Sequence, residues 1–154
     1  MAVQKKINIQ NKKARFEFEI LDKFVAGIQL TGTEIKSIRL SQARITESFC
    51  EFNDRGELFI VNMYIQEYMF GHHFNHKPKS ERRLLLNKRE LRSLKKDVEA
   101  KGNTIVPLRL FINDRGFAKL EIALAKGKQI HDKRNTLKDR DNKRDLARIK
   151  KNFN

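Results

Sequence analysis

Three histidines crowd one short stretch, His72, His73 and His76, and a fourth, His131, stands directly before Asp132. Imidazoles so spaced are side chains that a transition metal selects, and a His-Asp doublet is the metal-binding element of HD-type phosphohydrolases. Between His72 and His76, however, no carboxylate or thiol completes a coordination sphere, and the doublet would need further ligands from a helical domain that the sequence does not supply. Metal-assisted RNA cleavage is thus a third-ranked reading. The nucleophiles Ser41, Ser48 and Cys50 have no base at a local spacing that would activate them. Neither a GxGxxG nor a GxxxxGK[ST] phosphate loop is present. We therefore expect no catalysis, no metal and no cofactor. Cys50 is the sole cysteine, which rules out an intramolecular disulfide and a thiolate zinc cluster.

What remains is cationic charge. The 154 residues hold 34 Lys and Arg against 19 Asp and Glu, a net charge of +15. Three segments carry all of that excess: residues 1–13, with Lys5, Lys6, Lys12 and Lys13 and no acid; residues 77–101; and residues 131–154. The rest of the chain is neutral in sum and richer in apolar residues, the pattern of a core with a basic coat. Such a coat suits a polyanion, because lysines and arginines that neutralise phosphates release counterions. No apolar run approaches the roughly 20 residues that span a bilayer, and the first residues lack a signal-peptide pattern. The expected location is the cytoplasm, with no membrane contact.

The elements that must position these charges read mainly as strands. Phe16 to Ile20 alternates apolar and acidic residues and predicts a half-buried strand, with a second over Phe24 to Thr31 and a bulge or bend at Gly27. Ile35 and Ile38, three apart, predict a short helix over Glu34 to Arg39. Asn53-Asp54-Arg55-Gly56 and Asn113-Asp114-Arg115-Gly116 read as hairpin tips. They would join Thr46–Phe52 to Glu57–Met63 and Thr104–Ile112 to Phe117–Ala125, with Leu108, Leu110 and Ile112 alternating on one face. Leu84 to Leu86 predicts a short strand. A helix follows, opened by Asn87 and Glu90 in a capping-box spacing, carried by Leu91, Leu94 and Val98, and ended by Gly102. About six strands with one inserted helix favour a small antiparallel oligonucleotide-binding-like (OB-like) β-barrel over residues 1–130. Residues 131–154 are too polar to fold alone but carry helix-compatible charge spacing, and we expect an arm that is disordered when free and helical when bound. Because the phenylalanines fall mostly at core phases, we expect backbone contacts rather than base stacking to dominate RNA binding.

Leu30-Thr-Gly-Thr-Glu34-Ile-Lys36-Ser-Ile-Arg39 resembles the signature of the SsrA-binding protein family, SmpB. Further blocks agree in order: Asn11-Lys-Lys-Ala-Arg15; Asn75-His76-Lys-Pro78; Arg82-Arg83-Leu-Leu85-Leu-Asn87-Lys88-Arg-Glu90-Leu; and Ala125-Lys126-Gly127-Lys128 leading to His131-Asp132-Lys133-Arg134. The resemblance implies a non-enzymatic, monomeric RNA-binding barrel. Such a protein holds the tRNA-like domain of transfer-messenger RNA and delivers it, with elongation factor Tu, to stalled ribosomes for trans-translation. The resemblance places Leu85 and Asn87 where the family contacts that RNA, and Glu34, Lys36 and Arg39 in its signature; with the basic clustering, we expect the RNA-binding set to include also Lys12, Lys13, Arg15, His76, Arg82, Arg83, Lys88, Lys126 and Lys128. It also implies a tail, with Asp132, Lys133, Arg134, Lys138, Arg144, Ile149 and Lys150, that engages the decoding centre and enters the vacant messenger channel. Val25 stands where many relatives have Glu, and Phe16 and Phe18 where His and Tyr are frequent. The principal alternative is a ribosomal protein or general RNA chaperone.

Overall fold

The computed structural model describes residues 6–127. Lys128 and the whole expected tail, including Asp132, Lys133, Arg134, Lys138, Arg144, Ile149 and Lys150, lie outside the described residues.

The chain runs β1 (Asn8–Gln10), α1 (Lys12–Glu17), β2 (Phe18–Ile28), α2 (Gly32–Arg39), β3 (Ala43–Arg44), β4 (Phe49–Phe52), β5 (Leu58–Val61), β6 (Tyr64–Ile65), β7 (Arg82–Leu85), α3 (Lys88–Lys101), β8 (Thr104–Ile112) and β9 (Ala118–Gly127). Six of the strands pair in the order β8-β4-β5-β7-β2-β9, and β9 pairs back onto β8, so the antiparallel ladder closes on itself. Closure removes the unpaired edges an open sheet would present. The short β1 adds to β8, and β3 and β6 form a separate ribbon. The expected barrel of about six strands is thus the ring, with three short strands added to it.

Ala26, Ile28, Leu58, Ile60, Leu84, Ile105, Leu110, Leu120 and Ile122 fill the ring, joined by Ile38 from α2 and Leu94 from α3. Leu91 and Val98 pack beside Leu94, as the period predicted. The two hairpin tips form as expected, each closed by a glycine at positive φ, Gly56 at 77° and Gly116 at 85°. In both, the Asn side chain accepts two backbone N–H bonds, Asn53 from Arg55 and Glu57, Asn113 from Arg115 and Phe117. The first hairpin is shorter than expected, ending at Phe49 and Val61.

Three expectations are corrected. The Phe16–Ile20 strand is instead the end of a helix and the start of β2. Asn11 is buried, with its N–H on the Leu108 carbonyl at 2.8 Å and its amide donating to Pro107 and Ile45. Its free oxygen caps α1 through the Ala14 N–H. Tertiary bonds to a strand almost a hundred residues away override a five-residue alternation. The irregularity of β2 lies between Ile20 and Asp22, not at Gly27, and β2 is one continuous strand. Gly27 serves close approach: a Cβ there would lie 3.3 Å from that of Leu85. Finally, Leu108 does not share a face with Leu110. A register shift between Pro107 and Arg109 sends Leu108 outward, into a small second cluster with Ala14, Val106, Ala123 and Ala125 beneath α1.

Candidate nucleic-acid interface

α2 opens with a capping box. The Thr31 hydroxyl accepts from the Glu34 N–H, and Glu34 Oε1 accepts from the Thr31 N–H at 2.9 Å. The second Glu34 oxygen receives Nε of Arg82, in an ion pair that is 5% and 2% exposed at its two side chains. The rest of the guanidinium donates to the carbonyls of Met63, Lys77 and Pro78. His76 is buried beside this pair: Nε2 donates to the Ile65 carbonyl at 2.9 Å, and Nδ1 lies 3.0 Å from the Thr33 hydroxyl. Since that carbonyl only accepts, a neutral ring carries its proton on Nε2 and Nδ1 accepts from Thr33. Glu34, His76 and Arg82, expected as RNA contacts, are therefore turned inward, where they join α2, β6, β7 and the intervening loop.

The other expected contacts among the described residues are exposed, and they fall at two ends of the barrel. Phe18 opposes Gly127 and Glu19 opposes Lys126, whereas Gly27, nine steps along β2, opposes Leu85. At roughly 3.3 Å per residue the strand between the two ends runs for at most about 30 Å. Lys126 lies at the first end, towards which α1 runs with Lys12, Lys13 and Arg15. Lys13 is paired with Glu47 at 3.1 Å and with Glu17 at 3.8 Å, which hold its ammonium above the usual lysine pKa.

At the second end, β7 passes Leu85, 48% exposed, and turns into α3. Asn87 Oδ1 is used in the cap of α3, accepting from the Glu90 N–H at 2.8 Å, so the part of its side chain left to meet a ligand is the amide donor. Lys88 follows, exposed, and Arg83 is exposed while paired with Glu57 at 3.0 Å. Lys36 projects from α2 with Nζ 5.5 Å from the Tyr68 ring centre. Arg39 lines an open groove with Lys6, Asn8, Arg109 and Phe111, where the Arg109 guanidinium lies 4.1 Å over the Phe111 ring. Lys119 pairs with both Phe111 and Gly27, so this groove belongs to the second end.

His72 and His73 face solvent while His76 points inward, so the three imidazoles do not converge. Among the described residues no group of three or more His, Cys, Asp or Glu is placed to hold a metal. Cys50 is buried, and desolvation pushes its thiol pKa up, which keeps it protonated. No helix among the described residues is long and apolar enough to cross a membrane.

The reading from composition missed the exposed apolar side chains. Met69, Phe70, Phe74 and Phe117 are 64% or more exposed, and Arg44 lies 4.8 Å over Tyr64. A positional signal existed: Tyr68-Met-Phe-Gly-His-His-Phe74 places large apolar residues in a stretch with neither strand nor helix period.

The fold and these surfaces define a small closed β-barrel protein with cationic ends of the kind that meets nucleic-acid backbones. The family described as SmpB protein matches residues 8–152. An SsrA-binding protein of Flavobacterium psychrophilum is 67% identical over 97% of this chain and 99% of its own, and one of Flavobacterium johnsoniae is 64% identical over the same shares. One of Bacteroides thetaiotaomicron is 51% identical over 95% of this chain and 97% of its own. A chain from a solved structure named "tmRNA-SmpB: a journey to the center of the bacterial ribosome" superposes with a TM-score of 0.66 and 46% identity, covering 80% of this chain and 86% of that one. The chain belongs to the SmpB family of SsrA-binding proteins.

Proposed function

We propose that the protein binds the tRNA-like domain of transfer-messenger RNA and brings it to stalled ribosomes for trans-translation. The observation that carries this reading is the exposed corner of α2, β7 and α3, in a chain that matches SsrA-binding proteins along nearly its whole length. There Lys36, Arg39, Arg83 and Lys88 meet phosphates, Leu85 supplies apolar contact and the Asn87 amide donates. Glu34, His76 and Arg82 are positioning residues that hold this corner rigid. Lys12, Lys13, Arg15 and Lys126 form the second basic surface, from which the chain continues through Lys128 into the tail.

The tail, with Asp132, Lys133, Arg134, Lys138, Arg144, Ile149 and Lys150, occupies the decoding centre and the empty messenger channel. A basic segment that fits an RNA-lined tunnel only when messenger is missing discriminates stalled ribosomes without reading bases. The protein acts as a cytoplasmic monomer, without catalysis, and elongation factor Tu joins through the RNA. A competition assay between transfer-messenger RNA and bulk transfer RNA tests the reading. Transfer-messenger RNA should win, whereas equal affinity for both would favour a general RNA chaperone.

A further inference from the structure

The loop between β6 and β7 invests polar bonds in holding apolar rings out in water. Asn75 clamps its two sides: Nδ2 donates to the Tyr68 carbonyl at 2.7 Å, and Oδ1 accepts the Tyr68 N–H at 3.1 Å. Gly71 is packed so tightly under the clamp that a Cβ there would lie 2.5 Å from Asn75 Nδ2. Buried His76 anchors the next position to β6 and α2. On this fixed base Phe74 is 90% exposed, and Met69 and Phe70 are 66% and 65% exposed. Phe70 meets Tyr68 edge to face at 5.6 Å, and Tyr68 in turn carries Lys36 over its ring. A loop free to collapse would cover these rings, so a clamp that prevents collapse has a use for them.

We propose that this loop is a stacking platform for an unpaired nucleobase, with the Phe74 ring taking the base, and with Lys36 over Tyr68 and the exposed Lys77, three residues on, meeting the adjoining phosphates. The inference rests on the proposed RNA-binding function and adds a contact that the basic residues cannot make, since a ring stacks on bases and a cation pairs with phosphates. Charge decides between RNA and an apolar protein partner. Between Gln66 and Ser80 the chain carries Lys77 and Lys79 against Glu67 alone, with Arg44 and Lys36 already over neighbouring rings.

The test uses the full chain, the isolated tRNA-like domain of transfer-messenger RNA and a blunt RNA duplex of equal length. Phe74→Ala and Phe74→Leu should each weaken binding to the tRNA-like domain by about 5- to 100-fold and leave duplex binding and the salt dependence unchanged. Phe74→Tyr, which keeps the ring, should bind like the wild type. The exposed position should leave the melting temperature of all three unchanged. An unaltered affinity of Phe74→Ala would overturn the proposal, as would a Phe74→Leu variant that binds like the wild type, since that marks apolar docking instead. If the wild-type chain prefers the tRNA-like domain while all Phe74 variants match it, the platform alone fails. A wild type without that preference removes the proposed function and the platform together.

Discussion

At the scale of single residues, the Glu34–Arg82 pair separates stability from binding. Removing one partner strands a buried charge, so Glu34→Ala should cost about 3–5 kcal/mol in chemical denaturation, whereas a Glu34→Leu, Arg82→Met double replacement should recover much of the loss. Lys36→Ala, at an exposed site, should change stability by less than about 0.5 kcal/mol yet weaken RNA binding. Glu34 and Arg82 were expected among the RNA contacts because they lie in the blocks that resemble the family, and nothing local reveals that two charges 48 positions apart meet inside a core. Lys36 and Arg39, in the same signature, do face solvent, and that part of the expectation was legible. Cys50 offers a pH test. Its thiol pKa is raised in the fold, so the stability this gives is complete below the unfolded thiol value of about 8.5 and falls as the pH climbs above it. Cys50→Ala should flatten that alkaline decline, read from melting temperatures between neutral pH and pH 10.

At the scale of elements, α3 shows what a sequence makes plain and α1 what it hides. Asn87, Glu90, the leucine spacing and Gly102 are all local signals, and each occupies its expected role. α1 depends on Asn11, whose bonds reach β8 and Ile45, and only a folded neighbour distinguishes that cap from a loop residue. The bulge at Pro107 is similarly invisible to strict alternation, which misplaced Leu108. Asn87 permits a clean separation of effects. Asn87→Asp preserves a good cap and should leave stability near wild type while lowering RNA affinity through its negative charge. Asn87→Ala should cost about 1 kcal/mol of stability as well, with denaturation and filter binding as the paired measurements.

For the whole molecule, the closed ring places the two basic surfaces at opposite ends of β2, with the chain leaving for its tail at the Lys126 end. The strand count and hairpin tips foretold the barrel, but the division of the basic residues into two surfaces follows from register alone. Which face each lysine serves is set by pairings such as Phe18 with Gly127 that no local pattern encodes. Binding through these surfaces should weaken as salt rises, with a log–log slope of about −0.7 to −0.9 per phosphate contacted. Deleting the residues after Lys133 should spare RNA affinity while abolishing peptide tagging on stalled ribosomes. The most direct measurement is the sequencing of RNA that co-purifies with the tagged full-length protein from its own cells. Transfer-messenger RNA should dominate the recovered reads far beyond its cellular share, and a mixture of transfer and ribosomal RNA in proportion to abundance would contradict the account.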